Sequence, residues 1–340
     1  MITNILSDLP TISEAERTRI LTSPRTADAH KSLLANIPAM NAVQLGGTAS
    51  ADTLPAELTI VAWNVERCLF PEASAQHLSP LKPDVILLSE VDHGMARTAQ
   101  RHTTAEFAAE MGMAYAFAVE FHELDLGGPT ERALCIDSFN TKGWHGNAIL
   151  SSVPFSRTAM VRLDEAGHWF AAESGASDPE QPRVGGRMAI LAELPTENGP
   201  LTVVSTHLES NADSCFRLRQ FEILLDAIED FSPTGPVVIG GDLNTGNHVP
   251  PDFDWRGEQL FQAAEARGYS WDFTAEGHTT RPSLITPHPD RVMKLDWIAG
   301  RGVSPVEVGK VASLDATNRP LSDHDAVWSR ISLSASEDMS

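Results

Sequence analysis

The sequence predicts an α/β fold in which helices cover the faces of at least one large β-sheet. The first observation is a series of short apolar segments, rich in β-branched residues, that recur from Leu58 onward between turn-forming residues. The second is a longer segment with apolar residues at i, i+3, i+4 and i+7, namely Phe221, Leu224, Leu225 and Ile228. Buried strands alternating with amphipathic helices favour a sheet with helices packed on it.

The first 56 residues carry no recognisable chemistry. Residues 13–16 have the spacing of a capping box, which predicts a short helix that ends before Pro24, and a second helix should end at Ile37. Residues 41–56 contain glycines, serine and proline and are interpreted as a linker. We therefore predict a helical N-terminal arm and linker over residues 1–56, a main domain over 57–333 and a tail over 334–340. We expect the main domain to fold without the arm.

The main domain should contain nine strands and two principal helices. The strands are predicted at Leu58–Trp63, Val85–Ser89, Tyr115–Phe121, Ala148–Ser151, Met188–Leu194, Leu201–Thr206, Val237–Ile239, Leu295–Ala299 and Ala326–Ile331. The helices are predicted at Thr98–Met111 and Ser214–Asp230. No repeat at a fixed period and no break in composition after residue 57 indicates a second domain.

Composition excludes several classes of protein. The amino terminus has no basic start followed by an apolar run, and no segment of about 18 apolar residues occurs, so we expect a cytoplasmic protein without a membrane span. The three cysteines, Cys68, Cys135 and Cys215, lack the C-x-x-C spacing of a thiolate zinc site. The 25 basic residues stand against 46 acidic ones, a net charge of −21, which disfavours a polyanionic partner and favours a small-molecule substrate. The oligomeric state is left open.

Polar residues of one chemical kind follow several of the predicted strands. The clearest case is the strand at 237–239, which runs into Gly240 and Gly241 and then into Asp242 and Asn244. Other strands or later segments deliver Asn64, Glu90, His207, Asp296, Asp323 and His324. Taken singly, each of these residues could form a turn, cap a helix or lie on a solvated face. Together they supply hard oxygen ligands and imidazoles, a set that suits Mg²⁺ better than zinc.

Seven short motifs occur in one order along the chain. They are Trp63-Asn64-Val65, Leu88-Ser-Glu90, Gly146-Asn-Ala-Ile-Leu-Ser151, Ser205-Thr-His-Leu208, Gly241-Asp-Leu-Asn244, Leu295-Asp-Trp-Ile298 and Ser322-Asp-His324. In these motifs the chain resembles the endonuclease/exonuclease/phosphatase superfamily, which includes pancreatic-type deoxyribonucleases, neutral sphingomyelinases, abasic-site endonucleases and inositol-phosphate phosphatases. The resemblance covers residues 58–331 and implies a four-layer α/β/β/α sandwich of two mixed β-sheets with the site at one end.

The resemblance also implies a metal site. It makes Glu90 the principal ligand of a divalent cation, usually Mg²⁺ and possibly Mn²⁺, with Asn64 and Asp323 as further ligands. Oxygen ligands of this kind leave Mg²⁺ some of its waters and let it share the phosphate oxygens of a substrate.

For the catalytic groups, the resemblance implies that His324 is the base that activates the attacking water, with Asp296 on its other ring nitrogen. An acid behind an imidazole fixes the tautomer and raises the basicity. Asp242 and Asn244 would orient the water or bind the phosphate, and His207 would donate a hydrogen bond to it.

Substrate-binding residues are less well defined by the sequence. In the family the asparagine at the position of Asn147 often lies beside the phosphate, although the same residue could simply form a turn. Arg97 and Arg101 have i, i+4 spacing on a predicted helix after the Glu90 strand, so both could reach an anionic substrate. The alternative is that they pair with nearby acids. Arg187, Arg281 and Arg291 are further candidates.

These observations predict a metal-dependent phosphoesterase that hydrolyses a small-molecule or lipid-like phosphate ester by in-line attack of an activated water. The first alternative is a nuclease with the same fold. A non-catalytic binding protein is a second alternative, which the complete set of ligand and base residues disfavours.

Overall fold

The computed structural model describes residues 1–176, 178, 181–246 and 254–334. Of the predicted tail, only Ser334 lies within these ranges. The helices are α1 (Glu14–Thr22), α2 (Ala27–Asn36), α3 (Pro71–Leu78), α4 (Thr103–Met111), α5 (Pro129–Arg132), α6 (Ser214–Phe231) and α7 (Leu260–Glu265). The strands are β1 (Ile5–Leu6), β2 (Val43–Gly47), β3 (Glu57–Arg67), β4 (Val85–His93), β5 (Ala114–Glu123), β6 (Trp144–Ser151), β7 (Arg157–Arg162), β8 (Arg183–Gly185), β9 (Met188–Leu194), β10 (Leu201–His207), β11 (Val237–Asp242), β12 (Asp296–Arg301), β13 (Ser304–Val311) and β14 (Ala326–Ser332).

Within the described residues these strands form two mixed sheets. The larger sheet has nine strands in the order β1-β2-β5-β6-β4-β3-β14-β13, with β8 pairing on β5, and the smaller has five in the order β12-β11-β10-β9-β7. Strands β3 and β4 are parallel in the first sheet, and β10 and β11 are parallel in the second. The carboxyl ends of each parallel pair therefore lie at one edge of their sheet.

Three apolar layers hold the two sheets and their helices together. Successive residues of β3 point in opposite directions, so Ile60 and Ala62 pack against the second sheet while Val61 and Trp63 pack under the helices. In the second sheet, Val203 lies in the layer between the sheets, and Val204 packs under Phe221 of α6. Because both faces of the central strands are buried, their sequences read as continuous apolar runs. The four-layer α/β/β/α sandwich of two mixed sheets is confirmed.

All nine predicted strands are present, and the structure adds five that the sequence did not indicate. These are β1, β2, β7, β8 and β13. Strands β1 and β8 are two and three residues long, which is too short for a periodic signal. Strand β13 lies at the sheet edge and is largely exposed, so it lacks the apolar residues that mark a buried strand. Strand β7, by contrast, is largely buried, but arginines at both of its ends interrupt the apolar run that would mark it in the sequence.

The predicted linker at residues 41–56 is wrong for Val43–Gly47, which forms β2. This strand pairs parallel with β1 and antiparallel with β5. Gly46 is required there, because a Cβ atom would lie 2.4 Å from the Tyr115 hydroxyl oxygen on β5. The two predicted N-terminal helices are present as α1 and α2, but they bury Ile20, Leu33 and Leu34 in the same layer as β3 and β4. The N-terminal segment therefore completes the large sheet and its helical cover.

Removal of residues 1–56 should abolish cooperative unfolding, contrary to the expectation from the sequence. The deletion takes β2 from the side of β5 and uncovers an apolar layer, and each large aliphatic side chain lost from it contributes about 1.5–3 kcal/mol. Several such losses approach the whole stability of a domain, about 5–15 kcal/mol. Urea unfolding followed by circular dichroism tests this result.

A matched pair of point variants separates packing from mere proximity. Ile20→Ala, at a fully buried position, should lower the free energy of unfolding by about 2–5 kcal/mol. Leu21→Ala, next to it but 46% exposed, should change this free energy by less than about 1 kcal/mol.

The deletion of residues 1–56 has its own contradicting outcome. A cooperative, unshifted unfolding transition in the truncated protein would show that the N-terminal segment is dispensable.

Candidate functional site

The polar residues predicted at strand ends converge at one edge of the sandwich. In the larger sheet Asn64 lies opposite Ser89, the residue before Glu90, and in the smaller sheet Asp242 lies between His207 and Asp296. The two sheets meet here, because the Asn64 Nδ2 of one sheet donates to the Asp242 Oδ2 of the other at 3.0 Å.

Irregular backbone aims these side chains. The pairing of β3 with β4 shifts between Asn64 and Arg67, and Glu66 and Arg67 have φ values of 42° and 72°. Glu90 has a φ of 59°, within a second shift in the pairing of β4 with β6. A bulge adds a residue to one strand and turns its side chain toward a new direction. Left-handed conformations at bulky residues are uncommon, and their concentration at this edge is typical of functional sites.

Two glycines permit the close approach of the sheets. A Cβ atom on Gly240 would lie 2.7 Å from a methyl carbon of Leu87 in the opposite sheet. At Gly241, where φ is 152°, a Cβ atom would lie 1.9 Å from the Thr206 carbonyl oxygen on the neighbouring strand. Only glycine fits at these positions, which is why this pair directly precedes Asp242.

His324 and Asp296 form a buried hydrogen-bonded pair, with 2.8 Å between Nδ1 and Oδ2. Burial raises the pKa of Asp296 to about 6, although His324 opposes the shift. Burial would lower the pKa of His324, but the carboxylates of Asp296, Asp323 and Asp242 outweigh it and raise that pKa to about 10. Trp63 holds the pair from behind, donating from Nε1 to the His324 carbonyl oxygen at 2.9 Å. The surrounding carboxylates therefore favour the protonated form of His324.

Asn64 connects the carboxylates of the two sheets. Its Nδ2 donates to Glu90 Oε1 and to Asp242 Oδ2, both at 3.0 Å, and its Oδ1 accepts from the Glu66 backbone N–H at 3.0 Å. Asp242 in turn accepts from the Asn244 backbone N–H at 2.9 Å. Burial opposes ionisation of Asp242, but His324 and His207 outweigh it and keep its pKa below the usual value. Both ends of the Asn64 amide are engaged, so in this arrangement the side chain positions the two carboxylates.

A cleft of about 180 Å³ opens at this edge. It is lined by Glu66, Arg67, Glu90, His207, Ser210, Asp242, Asn244, Ile285, Thr286, Arg291, Asp323 and His324. Six of the residues predicted from the sequence line it directly, and Asn64 and Asp296 lie immediately behind them. The cleft thus brings together both the predicted metal ligands and the predicted catalytic groups.

The donor atoms of the cleft fit a hard divalent cation. Glu66, Glu90, Asp242 and Asp323 present carboxylates, and no cysteine lines the cleft. Among the described residues, ligand atoms of Asp242, Asp296 and His324 also lie within 4.8 Å of one another. The hydrogen bond between Asp296 and His324 occupies facing atoms of that group, so we assign the cation to the carboxylates that face the cleft. Glu90 and Asp323, the carboxylates predicted as metal ligands, are both in this group.

His207 is held from behind by a second buried cluster. The Nη1 atom of Arg187 lies 2.8 Å from His207 Nδ1 and donates to Glu120 Oε1 at 2.8 Å. The Nε atom of the same guanidinium donates to Glu209 Oε2 at 3.2 Å. Glu120 is fully buried; burial alone would raise its pKa, but Arg187 and His207 hold it far below the usual value. Arg187, a candidate for substrate binding in the sequence, thus lies behind His207 and outside the cleft.

Arg97 and Arg101 do not reach the cleft, and the prediction that they bind substrate is wrong. They do not share a helix, because Ala96–Thr98 forms a 3₁₀ turn, Ala99 has a φ of 56° and α4 begins at Thr103. The Arg97 side chain is 1% exposed and contacts three carboxylates, those of Asp92, Glu123 and Glu131. Arg101 pairs with Glu72 and Glu106 on the surface. The acidic excess of the chain supplies partners for both guanidiniums.

Asn147 lies deeper than the sequence suggested. It is fully buried on β6, where Nδ2 donates to the Met188 carbonyl oxygen at 3.2 Å, and it does not line the cleft. Its Oδ1 has no hydrogen-bond partner among the described residues.

Sequence reasoning missed Glu66 and Arg67, both of which line the cleft. Burial together with the charge of Asp323 raises the pKa of Glu66 to about 7. These residues directly follow Asn64-Val65, and that proximity was the available signal. On a regular strand the two side chains would point to opposite faces, and the bulge is what places both at the cleft. Of the remaining arginine candidates, Arg291 lines the cleft, 3.5 Å from Asp323 Oδ2.

A larger cleft of about 580 Å³ lies elsewhere, between α3 and residues 314–319. Its acid, Asp315, is already paired with Arg319 at 2.9 Å, and its only histidine is His77. The smaller cleft is therefore the one in which carboxylates and imidazoles are concentrated.

Comparison with known proteins identifies the family and supports the fold. The sequence model of the Endonuclease/Exonuclease/phosphatase family matches residues 61–324. No functionally curated protein matches the sequence. Among the described residues, no helix combines the length and apolar character needed to cross a membrane.

Solved structures share the fold at low sequence identity. An endonuclease/exonuclease/phosphatase from Beutenbergia cavernae is 20% identical with a TM-score of 0.54, covering 82% of this chain and 72% of its own. An endonuclease/exonuclease/phosphatase from Bacteroides vulgatus is 14% identical with a TM-score of 0.54, covering 82% and 99%. The human Nocturnin catalytic domain with a bound sulfate anion is 15% identical with a TM-score of 0.55, covering 86% and 98%.

Proposed function

This chain belongs to the endonuclease/exonuclease/phosphatase family, and on that premise we propose that it is a divalent-metal-dependent phosphoesterase acting on a small-molecule or lipid-like phosphate ester. The observation that carries the proposal is one cleft in which a buried imidazole–carboxylate pair faces carboxylates suited to a hard cation. Hydrolysis of a phosphate ester needs these two elements: a group that handles the proton of the attacking water, and positive charge near the phosphoryl oxygens.

The residues divide these tasks by position. His324 Nε2 lies 3.7 Å from Asp242 Oδ2 and 3.8 Å from Asp323 Oδ1, so it faces the cleft, while Asp296 fixes the ring through Nδ1. Asp242 and Asn244 orient the attacking water or the phosphate, and His207 donates to a phosphoryl oxygen. Mg²⁺, or Mn²⁺ in its place, bound by Glu90 and Asp323 would neutralise the charge of the phosphoryl oxygens.

The protonation state of His324 links metal binding to its role as a base. The carboxylates around His324 raise its pKa to about 10, which favours the imidazolium, and an imidazolium cannot accept another proton. Added positive charge on the neighbouring carboxylates disfavours the imidazolium and lowers its pKa. His324 therefore acts as a base only once those carboxylates are neutralised.

A small substrate fits the cleft better than a polynucleotide. A protein that tracks nucleic acid neutralises several phosphates with basic side chains. Among the residues that the structure describes, only Arg67 and Arg291 supply guanidiniums to this cleft, within a chain of net charge −21. The Nocturnin domain was solved with a bound sulfate, and a tetrahedral oxyanion of that kind is the ligand we propose for this cleft. The cytoplasm is the compartment we propose. A nuclease of the same fold is the alternative function.

Treatment with a chelator should abolish phosphoesterase activity, and Mg²⁺ or Mn²⁺ should restore it, because the cleft carboxylates have no other divalent counter-ion. The assay is a panel of phosphomonoesters, small phosphodiesters, plasmid DNA and single-stranded RNA at low salt. Full turnover in chelator, with no metal detected by elemental analysis, would contradict metal dependence.

The same panel decides between the two functions. A nuclease that contacts 6–10 phosphates would lose about 10³–10⁵ in affinity between 50 and 200 mM salt. Salt-sensitive cleavage of nucleic acid with negligible turnover of small esters would favour the nuclease. Turnover of small esters that is insensitive to salt would favour the proposed function.

A further inference from the structure

Each of the two carboxylates assigned to the cation already carries an arginine. Arg67 Nη1 forms an ion pair with Glu90 Oε2, and Arg291 Nη1 lies 3.5 Å from Asp323 Oδ2. Both guanidiniums line the cleft. Because arginine stays protonated at any physiological pH, neither pair can be relieved by loss of a proton. A divalent cation bound by Glu90 and Asp323 must therefore displace both arginines or share the carboxylates with them.

A second ion pair, with Glu131, would keep Arg67 at the cleft after such a displacement. Its Nε donates to Glu131 Oε1 at 2.9 Å, and the same oxygen accepts from the buried Arg97 at 2.8 Å. The Arg67 and Glu131 side chains are 19% and 12% exposed, so this contact is largely shielded from solvent. Glu131 therefore holds the Nε edge of the guanidinium beside the cleft, with Nη1 directed at the position of the Glu90 carboxylate.

The charges around the cleft match a doubly charged phosphate. With a divalent cation in place, Arg67, Arg291 and the cation present three positive centres around one small volume. A terminal phosphate carries about −1.5 to −2 charge at pH 7 and three free oxygens, whereas the phosphate of a diester carries a single charge. Guanidinium groups bind such oxygens through paired N–H donors. The cleft is also bordered by the polar side chains of Ser210 and Thr286 and by Ile285.

We propose that Arg67 and Arg291 form a phosphate clamp, which Glu90 and Asp323 hold in the metal-free protein and which selects phosphomonoesters once a divalent cation occupies those carboxylates. The proposal rests on the function proposed above and narrows its substrate class. In this arrangement the arginines offset part of the negative charge of the cleft carboxylates and then bind the oxygens that the substrate brings.

The test is Arg67→Gln in the full-length protein. Titration with Mn²⁺ alone should show about tenfold tighter binding, because the competing cation is gone from Glu90, a change of about 1.4 kcal/mol. In the presence of Mn²⁺, inorganic phosphate should bind about tenfold or more weakly. The kcat/KM for p-nitrophenyl phosphate should fall about 100-fold, and that for bis(p-nitrophenyl) phosphate by no more than about threefold.

Two further variants complete the design. Arg291→Gln, at a more exposed position, should show the same three changes with smaller size. Arg19→Gln removes an equal charge from the surface of α1, far from the cleft, and should change none of them. Thermal melting of each variant confirms that it is folded, and if Arg67→Gln is not, Arg291→Gln decides the proposal alone.

Unchanged or weaker Mn²⁺ binding in Arg67→Gln would overturn the clamp, and so would equal losses for the monoester and the diester. Wild-type protein that hydrolyses neither ester would refute the proposed function, whereas the Mn²⁺ and phosphate titrations would still decide whether Arg67 competes for Glu90.

Discussion

His324→Ala should lower kcat by about 10²–10⁴-fold, the range that a positioned general base contributes. The imidazole faces the cleft, and among the described histidines that line it, His324 alone is held by a buried carboxylate through a hydrogen bond as short as 2.8 Å. Asp296→Asn should be milder, at about 10–100-fold, because it disturbs the orientation and charge of the ring without removing it.

The double variant distinguishes a functional unit from two independent residues. Once His324 is absent, Asp296 has no ring to orient, so the double variant should be about as slow as His324→Ala alone. His278→Ala, which changes an exposed histidine outside the cleft, is the control and should leave kcat unaltered. If the losses of the two single variants sum in free energy, the residues act separately and the assigned roles are wrong.

The sequence was sufficient to predict the framework of the site. The central strands are buried on both faces, so their β-branched runs are unmistakable, and the residues that follow them must meet where parallel strands end. This is why Glu90, His207 and Asp242, which end or follow buried strands, could be assigned to one location from the sequence pattern, whereas the role of His324 came from the resemblance carried by Ser322-Asp-His324.

What the sequence could not supply are the bulges and the long-range ion pairs. The residue types in Asn64-Val65-Glu66-Arg67 do not predict a left-handed backbone. Glu66 and Arg67 nevertheless adopt it, and this conformation places both side chains at the cleft. Arg97 and Glu131 are separated by 34 residues, and an arginine with several acids in reach has no sequence signal for the one it contacts. Local spacing therefore suggested a helix that carries Arg97 and Arg101 toward the substrate. In the tertiary structure Arg97 is buried among carboxylates, and Arg101 forms ion pairs on the surface.

Arg97→Ala should lower the free energy of unfolding by about 3–5 kcal/mol, the cost of leaving buried charges without their partner. Arg97 contacts Asp92 at 2.8 Å, Glu123 at 2.7 Å and Glu131 at 2.8 Å, and its own side chain is 1% exposed. Arg101→Ala is the matched control: its side chain is 28% exposed and its ion pairs lie on the surface, so the loss should be about 0–1 kcal/mol. Urea unfolding at pH 7.5 measures both.

The pH dependence of the Arg97→Ala effect tests its electrostatic cause. Burial would raise the pKa values of Glu123 and Glu131, but Arg97 is the leading group that lowers each to about 2. In the wild-type protein these carboxylates therefore stabilise the fold above the usual glutamate pKa of about 4.3, and that contribution is lost as the pH falls toward 2. Arg67 still contacts Glu131 and Arg183 still lies 3.8 Å from Glu123 in the variant, but the largest charge that opposes burial is gone. We therefore expect the folded pKa values of both carboxylates to rise above the unfolded ones, so that the variant gains stability as the pH falls.

The difference in unfolding free energy between the wild-type protein and Arg97→Ala should consequently shrink between pH 8 and pH 5. A difference that is constant across this range would mean that the loss comes from packing of the arginine side chain and not from its charge. If Arg97→Ala does not fold at pH 7.5, the variant is purified at pH 5 and compared with the wild-type protein there. Protonation of the carboxylates that have lost Arg97 should restore the fold at this pH. Failure to fold at both pH values, with Arg97→Lys also unfolded despite its retained charge, would contradict the electrostatic explanation.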